Sequence, residues 1–112
     1  MGKRKFYIYQ EDLIRYSVGR ETVTISQMVE DLNEKFSQED MQKLRTETIT
    51  NYLTVNGYLT IIDTGKKRPT FKGKILGIEV GHITDKNGQE LEVNLYNNRA
   101  QKFILDNLYE ML

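Results

Sequence analysis

Between residues 24 and 36 the apolar positions Ile25, Met28, Val29, Leu32 and Phe36 recur at three- and four-residue steps, the spacing that gathers side chains on one side of an α-helix. Thr24 stands before this run and Gln27 three residues after it, a capping-box pair in which hydroxyl and carboxamide each satisfy a free backbone amide. Ser37 with Asp40 repeats the cap and predicts a short helix with Met41 and Leu44 inward. Thr46 then caps a helix running to Asn56. Its inner side carries Ile49, Tyr52 and Leu53, and its flanks and outer side carry Glu47, Thr48, Thr50, Asn51 and Thr54. Gly57 supplies a left-handed exit.

After that exit the pattern changes to β. Leu59, Ile61 and Ile62 lead into a turn at Asp63-Thr64-Gly65-Lys66. Lys66, Lys67 and Arg68 make its tip basic, with Lys72 and Lys74 close behind. Phe71, beside Pro69, is expected in the returning strand as an anchor to the body, and Gly73 and Gly77 as backbone freedom beyond it. A second hairpin follows, in which Leu91, Val93 and Leu95 alternate with Glu90, Glu92 and Asn94, and Asn87-Gly88 takes the positive φ angles of a tight turn. Asn97 or Asn98 caps a closing helix with Ala100, Phe103, Ile104, Leu108 and Met111 in one stripe, which covers the sheet or forms a partner face. At the other end, Phe6, Tyr7, Ile8 and Tyr9 suggest a strand or ordered arm. A helix near Glu11 to Val18 follows, with Leu13, Ile14 and Val18 buried and Gly19 ending it.

These elements make one α+β domain over residues 1–112. Residues 1–9 form the basic, aromatic arm, 10–56 the helical part, 57–74 the first hairpin, 75–96 the second and 97–112 the closing helix. A chain of 112 residues can bury a modest core without staples, and the absence of cysteine removes disulfides and thiolate metal sites. No apolar stretch approaches the length of a membrane span, and Met-Gly-Lys-Arg-Lys lacks the apolar run of a secretory signal, so a cytoplasmic protein is expected.

Formal net charge is zero, which counts against a nucleic-acid binder until its placement is considered. Residues 1–9 hold three bases and no acid, and residues 57–74 hold five bases against Asp63 alone. Residues 10–56 hold nine acids against five bases, and residues 75–112 six against three. Positive charge is thus concentrated in the arm and the first hairpin. Either segment can face phosphates, or both can be solvated tips.

Catalytic patterns are missing from the sequence: there is no phosphate-binding glycine loop, no Gly-x-Ser-x-Gly elbow and no cysteine nucleophile. His82, the single histidine, reads as a strand residue. Glu90 and Glu92 share a strand face that polar alternation already explains. No enzyme activity, cofactor or metal is expected.

The segment TITNYLTVNGYL, followed by KKRPTFKGKILGI and NGQELEVNLYNNRAQKFILDNL, resembles a small winged-helix domain found at the C-terminal ends of some bacterial helicases. It is similar as well to winged-helix modules of phage antirepressor-type proteins. The likeness spans roughly residues 20–108, rests on structural motifs and is unaccompanied by any motor motif. It implies a winged helix-turn-helix with Thr46 to Asn56 as recognition helix, Thr64 to Arg68 as wing, and a DNA-related setting without catalysis. The expected function is duplex-DNA binding by a regulator or accessory module. Thr48, Thr50, Asn51 and Thr54 would meet base edges, Lys66, Lys67, Arg68 and Lys72 the phosphate backbone, and Lys3, Arg4 and Lys5 a further stretch of it. Tyr7 and Tyr9, beside those lysines, would stack on bases or serve as strand residues. The alternative is a protein-binding inhibitor or adaptor from a phage or mobile element. It would use the acids Glu30, Asp31, Glu34, Glu39 and Asp40 to imitate a nucleic-acid backbone. No membrane partner is expected, and the sequence sets no oligomeric state.

Overall fold

The computed structural model describes residues 2–112, a mixed α+β arrangement of six helices and two separate two-stranded antiparallel sheets. Helix α1 (Gln10–Arg15) follows the arm, then come α2 (Ile25–Phe36) and α3 (Thr46–Val55). A short hairpin of β1 (Leu59–Ile61) and β2 (Lys67–Pro69) leads to α4 (Phe71–Leu76). The longer hairpin of β3 (Ile78–Thr84) and β4 (Glu90–Tyr96) precedes α5 (Asn98–Asp106) and α6 (Leu108–Met111).

The capping box at α2 is complete. Gln27 N donates to Thr24 Oγ1 at 3.2 Å, and Thr24 N donates to Gln27 Oε1 at 2.9 Å. Met28, Val29 and Leu32 are buried from this helix, and Ile49 and Leu53 from α3, in one core with Phe6, Ile8, Leu59, Ile78, Tyr96, Ile104 and Leu108. Gly57 leaves α3 at φ +83°, allowing Tyr58 N to reach back to Leu53 O and β1 to begin at once. In the longer hairpin Ile78 pairs with Tyr96 at the root and Thr84 with Glu90 at the tip.

Several expected elements differ. The first helix is shorter than expected, stopping at Arg15 and not at Gly19; Leu13 and, beyond the helix, Val18 pack partly on the core, whereas Ile14 is 76% exposed. At the helix exit Tyr16 Oη donates to Asp31 Oδ2 at 2.5 Å and its ring packs on Phe36. No helix forms at Ser37–Leu44. Asn33 of α2 satisfies both backbone groups of Leu44, at 2.7 and 2.9 Å, which holds Met41 and Leu44 inward in an irregular loop. Thr46 is the first residue of α3 rather than its cap, and Arg45 at the cap position makes no side-chain capping bond.

Phe71 lies in no strand; it opens α4 and is 80% exposed, so it anchors nothing. The close approach belongs instead to Gly73, where a Cβ would overlap the Tyr58 carbonyl oxygen, and Gly77 ends α4 in the left-handed region. At the tip of the longer hairpin only Gly88 has positive φ, at +81°; Asn87 does not, and Asp85 Oδ1 accepts from both Asn87 N and Gln89 N across the connection of residues 85–89. The closing helix breaks at Asn107 into α5 and α6, Asn97 supplies its cap, and the expected stripe survives across the break with Ala100, Ile104 and Leu108 buried.

Gly73→Ala should therefore destabilise the fold by about 1–3 kcal/mol, the usual cost of overpacking, because its clash is with backbone that cannot rotate away. Tyr96→Phe should do the reverse. The Tyr96 hydroxyl is fully buried with no hydrogen-bond partner among the described residues, so its removal should raise stability by about 1 kcal/mol in urea melts at neutral pH. Burial also pushes the Tyr96 phenol up to about 12 from its ordinary 10.0. The folded state thus holds a proton that the unfolded chain releases, and stability falls as pH rises from 10 towards 12. That part of the alkaline loss should be absent from Tyr96→Phe.

Candidate nucleic-acid interface

Helix α3 turns Ile49 and Leu53 into the core, so geometry alone turns Glu47, Asn51 and Val55 outward, with Thr48, Thr50 and Thr54 on the flanks. The β1–β2 hairpin follows after three residues, and β1 packs on α3. Its basic side chains therefore reach the helix. Lys67 Nζ donates to Asn51 Oδ1 at 2.6 Å and to Thr50 Oγ1 at 3.2 Å. Thr54 Oγ1 donates to the Thr50 carbonyl at 2.7 Å. Of the four expected base-reading side chains, Thr48 alone makes no hydrogen bond among the described residues.

The other expected cations divide in the same way. Lys66, at the tip, is exposed and unpaired among the described residues, and so is Lys74. Arg68 points away from the helix. Its side chain is 14% exposed; Nε donates to Glu92 Oε1 at 3.1 Å, Nη1 to the Lys67 carbonyl and Nη2 to the Glu92 carbonyl. Asn94 Nδ2 donates to the Lys67 carbonyl at 2.9 Å, completing a bridge between the two hairpins. Lys72 donates to the Asn56 carbonyl at 2.9 Å and lies over the Tyr58 ring at 4.4 Å. Arg68 and Lys72 thus hold the hairpin in place; the Arg68 charge is largely spent on Glu92, while Lys72 stays exposed with only a neutral carbonyl as its hydrogen-bond partner.

In the arm, Arg4 is likewise committed. Its guanidinium meets Asp40 at 2.7 and 3.0 Å and Gln38 at 3.1 Å, an exposed pairing that lowers the Asp40 carboxyl below its ordinary range. Lys3 and Lys5 are exposed. Lys5 lines a shallow groove of about 250 Å³ with Lys43, Arg45 and Thr48, at the start of α3. Sequence reasoning missed Lys43 and Arg45 because it assigned their segment to a helix. An isolated β-bridge between Arg4 and Met41 and the Arg4 side-chain bonds to Gln38 and Asp40, all invisible to periodicity, bring that loop beside the arm. Val55 was missed as well; it is 84% exposed, and an apolar residue on a polar outer face leaves no periodic signal.

The acids resolve differently from a single patch. Asp31 accepts from Tyr16 and Lys35, and the Tyr16 hydroxyl bond holds its carboxyl below the ordinary range. Asp40 pairs with Arg4. Glu47 pairs with Arg45 at 2.9 Å, both well exposed, a pairing worth roughly 0–1 kcal/mol that gives way readily to a stronger anion. Among the described residues no group of three or more histidine or acidic side chains could hold a metal ion, and no helix is long and apolar enough to cross a membrane.

Lys67→Met keeps the aliphatic stem and removes the ammonium that engages Asn51 and Thr50. The contact is half-buried, with Asn51 on its exposed side, so the melting temperature should drop by no more than a few degrees, equivalent to about 1 kcal/mol. The Asn51 side-chain amide signals should shift in NMR spectra; unchanged signals would show that Lys67 does not hold Asn51 in solution. Comparison with family models, with curated proteins and with solved structures finds no significant match, so the functional reading rests on this geometry.

Proposed function

We propose that the chain is a non-catalytic DNA-binding module built as a winged helix, with α3 as the groove-facing helix and the β1–β2 hairpin as its wing. One observation carries the reading: cations flank the outer face of α3, with Lys5, Lys43 and Arg45 lining the groove at its start, and exposed Lys66 and half-buried Lys67 on the hairpin packed beside it. Phosphates on either side of a groove are spaced to meet two such groups while the helix lies between them. Thr48 and Val55 then meet base edges directly. Asn51 reads a base with Lys67 as its neighbour, so the lysine both screens the site and orients the carboxamide. Arg45, held by Glu47 only through an exposed contact, is free to turn to a phosphate where the helix begins.

A second reading is favoured by a different surface. Ile83 and Leu91 pair across the longer hairpin near its tip and remain partly exposed on the side away from Arg68. An adaptor or inhibitor that engages a protein would use that face, and its binding would be indifferent to the cations around α3.

The triple substitution Lys43→Ala, Arg45→Ala, Lys66→Ala separates the two readings. Under the DNA reading it weakens binding to all duplexes alike and lowers the slope of log affinity against log salt by about 0.9 for each phosphate that is no longer neutralised. The side chains are exposed, so thermal stability should stay within about 0.5 kcal/mol of the parent. Unchanged affinity and slope in the folded variant would remove α3 and its hairpin from any DNA interface.

A further inference from the structure

The arm is a rigid strip of alternating side chains. Arg4 N donates to Asp40 O at 2.8 Å and Gln42 N to Arg4 O, which fixes its start against the loop before α3. Phe6 and Ile8 are buried in the core. With Arg4, Phe6 and Ile8 directed to the body, Lys3, Lys5, Tyr7 and Tyr9 all face solvent in a row, two residues apart, or roughly 6.6 Å along extended chain. Tyr7 and Tyr9 are 48% and 55% exposed, in an edge-to-face pair with ring centroids 5.4 Å apart. Tyr109 of α6 backs them at 6.1 Å from Tyr7 and donates its hydroxyl to the Ile8 carbonyl at 2.8 Å. Packing of that kind orders aromatic rings that would otherwise be mobile, and leaves ring faces open.

We infer that this arm is a track for unpaired nucleotides, taking a short single-stranded DNA extension of the duplex that lies on α3. The inference rests on the DNA-binding reading above. Cations followed by open aromatic rings suit a single strand, which offers a phosphate and a base face at each step, whereas bases stacked within a duplex offer no such face. The track also begins in the right place. Lys5 shares its groove with Lys43, Arg45 and Thr48, so a strand leaving the start of α3 meets Lys5 and then the Tyr7 and Tyr9 rings, with Lys3 on the opposite side of its entry. It ends there, because Glu11 and Asp12 lie close to Tyr109 and would repel a further phosphate. About two bases are accommodated.

The test titrates the chain directly into four labelled probes: a blunt duplex, the same duplex carrying a four-thymidine tail on one strand or on the other, and the tail strand alone. The parent chain should bind one tailed form about tenfold more tightly than the blunt form, within the range that one stacked base supplies. Tyr7→Ala with Tyr9→Ala should abolish that gain with blunt-duplex affinity and thermal stability unchanged, and Tyr7→Phe with Tyr9→Phe should keep it. Equal affinity for blunt and tailed duplexes overturns the track and leaves the DNA reading standing. Binding of the tail strand alone, without binding of the blunt duplex, supports the track and overturns the duplex reading. A gain that persists in the double alanine variant places the tail elsewhere and overturns the assignment to this arm.

Discussion

The backbone of Tyr96 joins the two halves of the molecule. Tyr96 N donates to Val23 O at 2.7 Å, Val23 N donates to Tyr96 O at 3.0 Å, and the same carbonyl accepts from Gln101 Nε2 at 2.9 Å. Its ring is wholly buried. Thr24, one residue after Val23, starts α2, and Asn97, one residue after Tyr96, starts α5, so this pairing sets the origin of both helices at once. The placement of α2 in turn sets α3, through the shared core and through Asn33, which clasps Leu44 at both backbone groups. The orientation of the proposed reading helix thus follows from a short antiparallel contact on its far side.

A second constraint decides which charges remain for a partner. The arm and the first hairpin were expected to act as blocks of positive charge, yet Arg4, Arg68 and Lys72 are engaged with Asp40, Glu92 and the Asn56 carbonyl. Their work is positional: they tie the arm to the loop before α3, the first hairpin to the second, and α4 to the end of α3. Lys3, Lys5, Lys43, Lys66 and Lys74 remain exposed, with Arg45 only weakly held by Glu47. A neutral molecule can then present a basic surface locally, because Lys5, Lys43 and Arg45 are gathered in one groove at the start of α3.

The parts of this arrangement legible in sequence are those with local causes. The Thr24–Gln27 box, the inner face of α3 and the left-handed exit at Gly57 each depend on neighbours within a few residues, and each is where the pattern places it; β4 forms where expected, but its burial rises from tip to root instead of alternating, with Leu91 exposed and Tyr96 buried. What failed depends on distant partners. Phe71 is an exception with a local cause: Thr70 caps α4 by accepting from Gly73 N, so the chain turns helical at Phe71. Residues 37–44 carry a helical pattern but are held as a loop by Asn33. The candidate site was half legible for the same reason. Periodicity separates Asn51 from Leu53, but the contact of Lys67 with Asn51 and the joining of Lys5 to Lys43 and Arg45 come from tertiary packing.

Whether the outer face of α3, with its flanking cations, is the surface that meets DNA can be read residue by residue. Isotopically labelled protein is titrated with a short duplex and followed through its backbone amide shifts. The largest shifts should fall at Thr48, Asn51, Val55, Lys66 and Lys67, extending to Lys43 and Arg45, with Ile83 and Leu91 unmoved. Shifts gathered on Ile83 and Leu91, or none at saturating duplex in low salt, would contradict a DNA-binding α3.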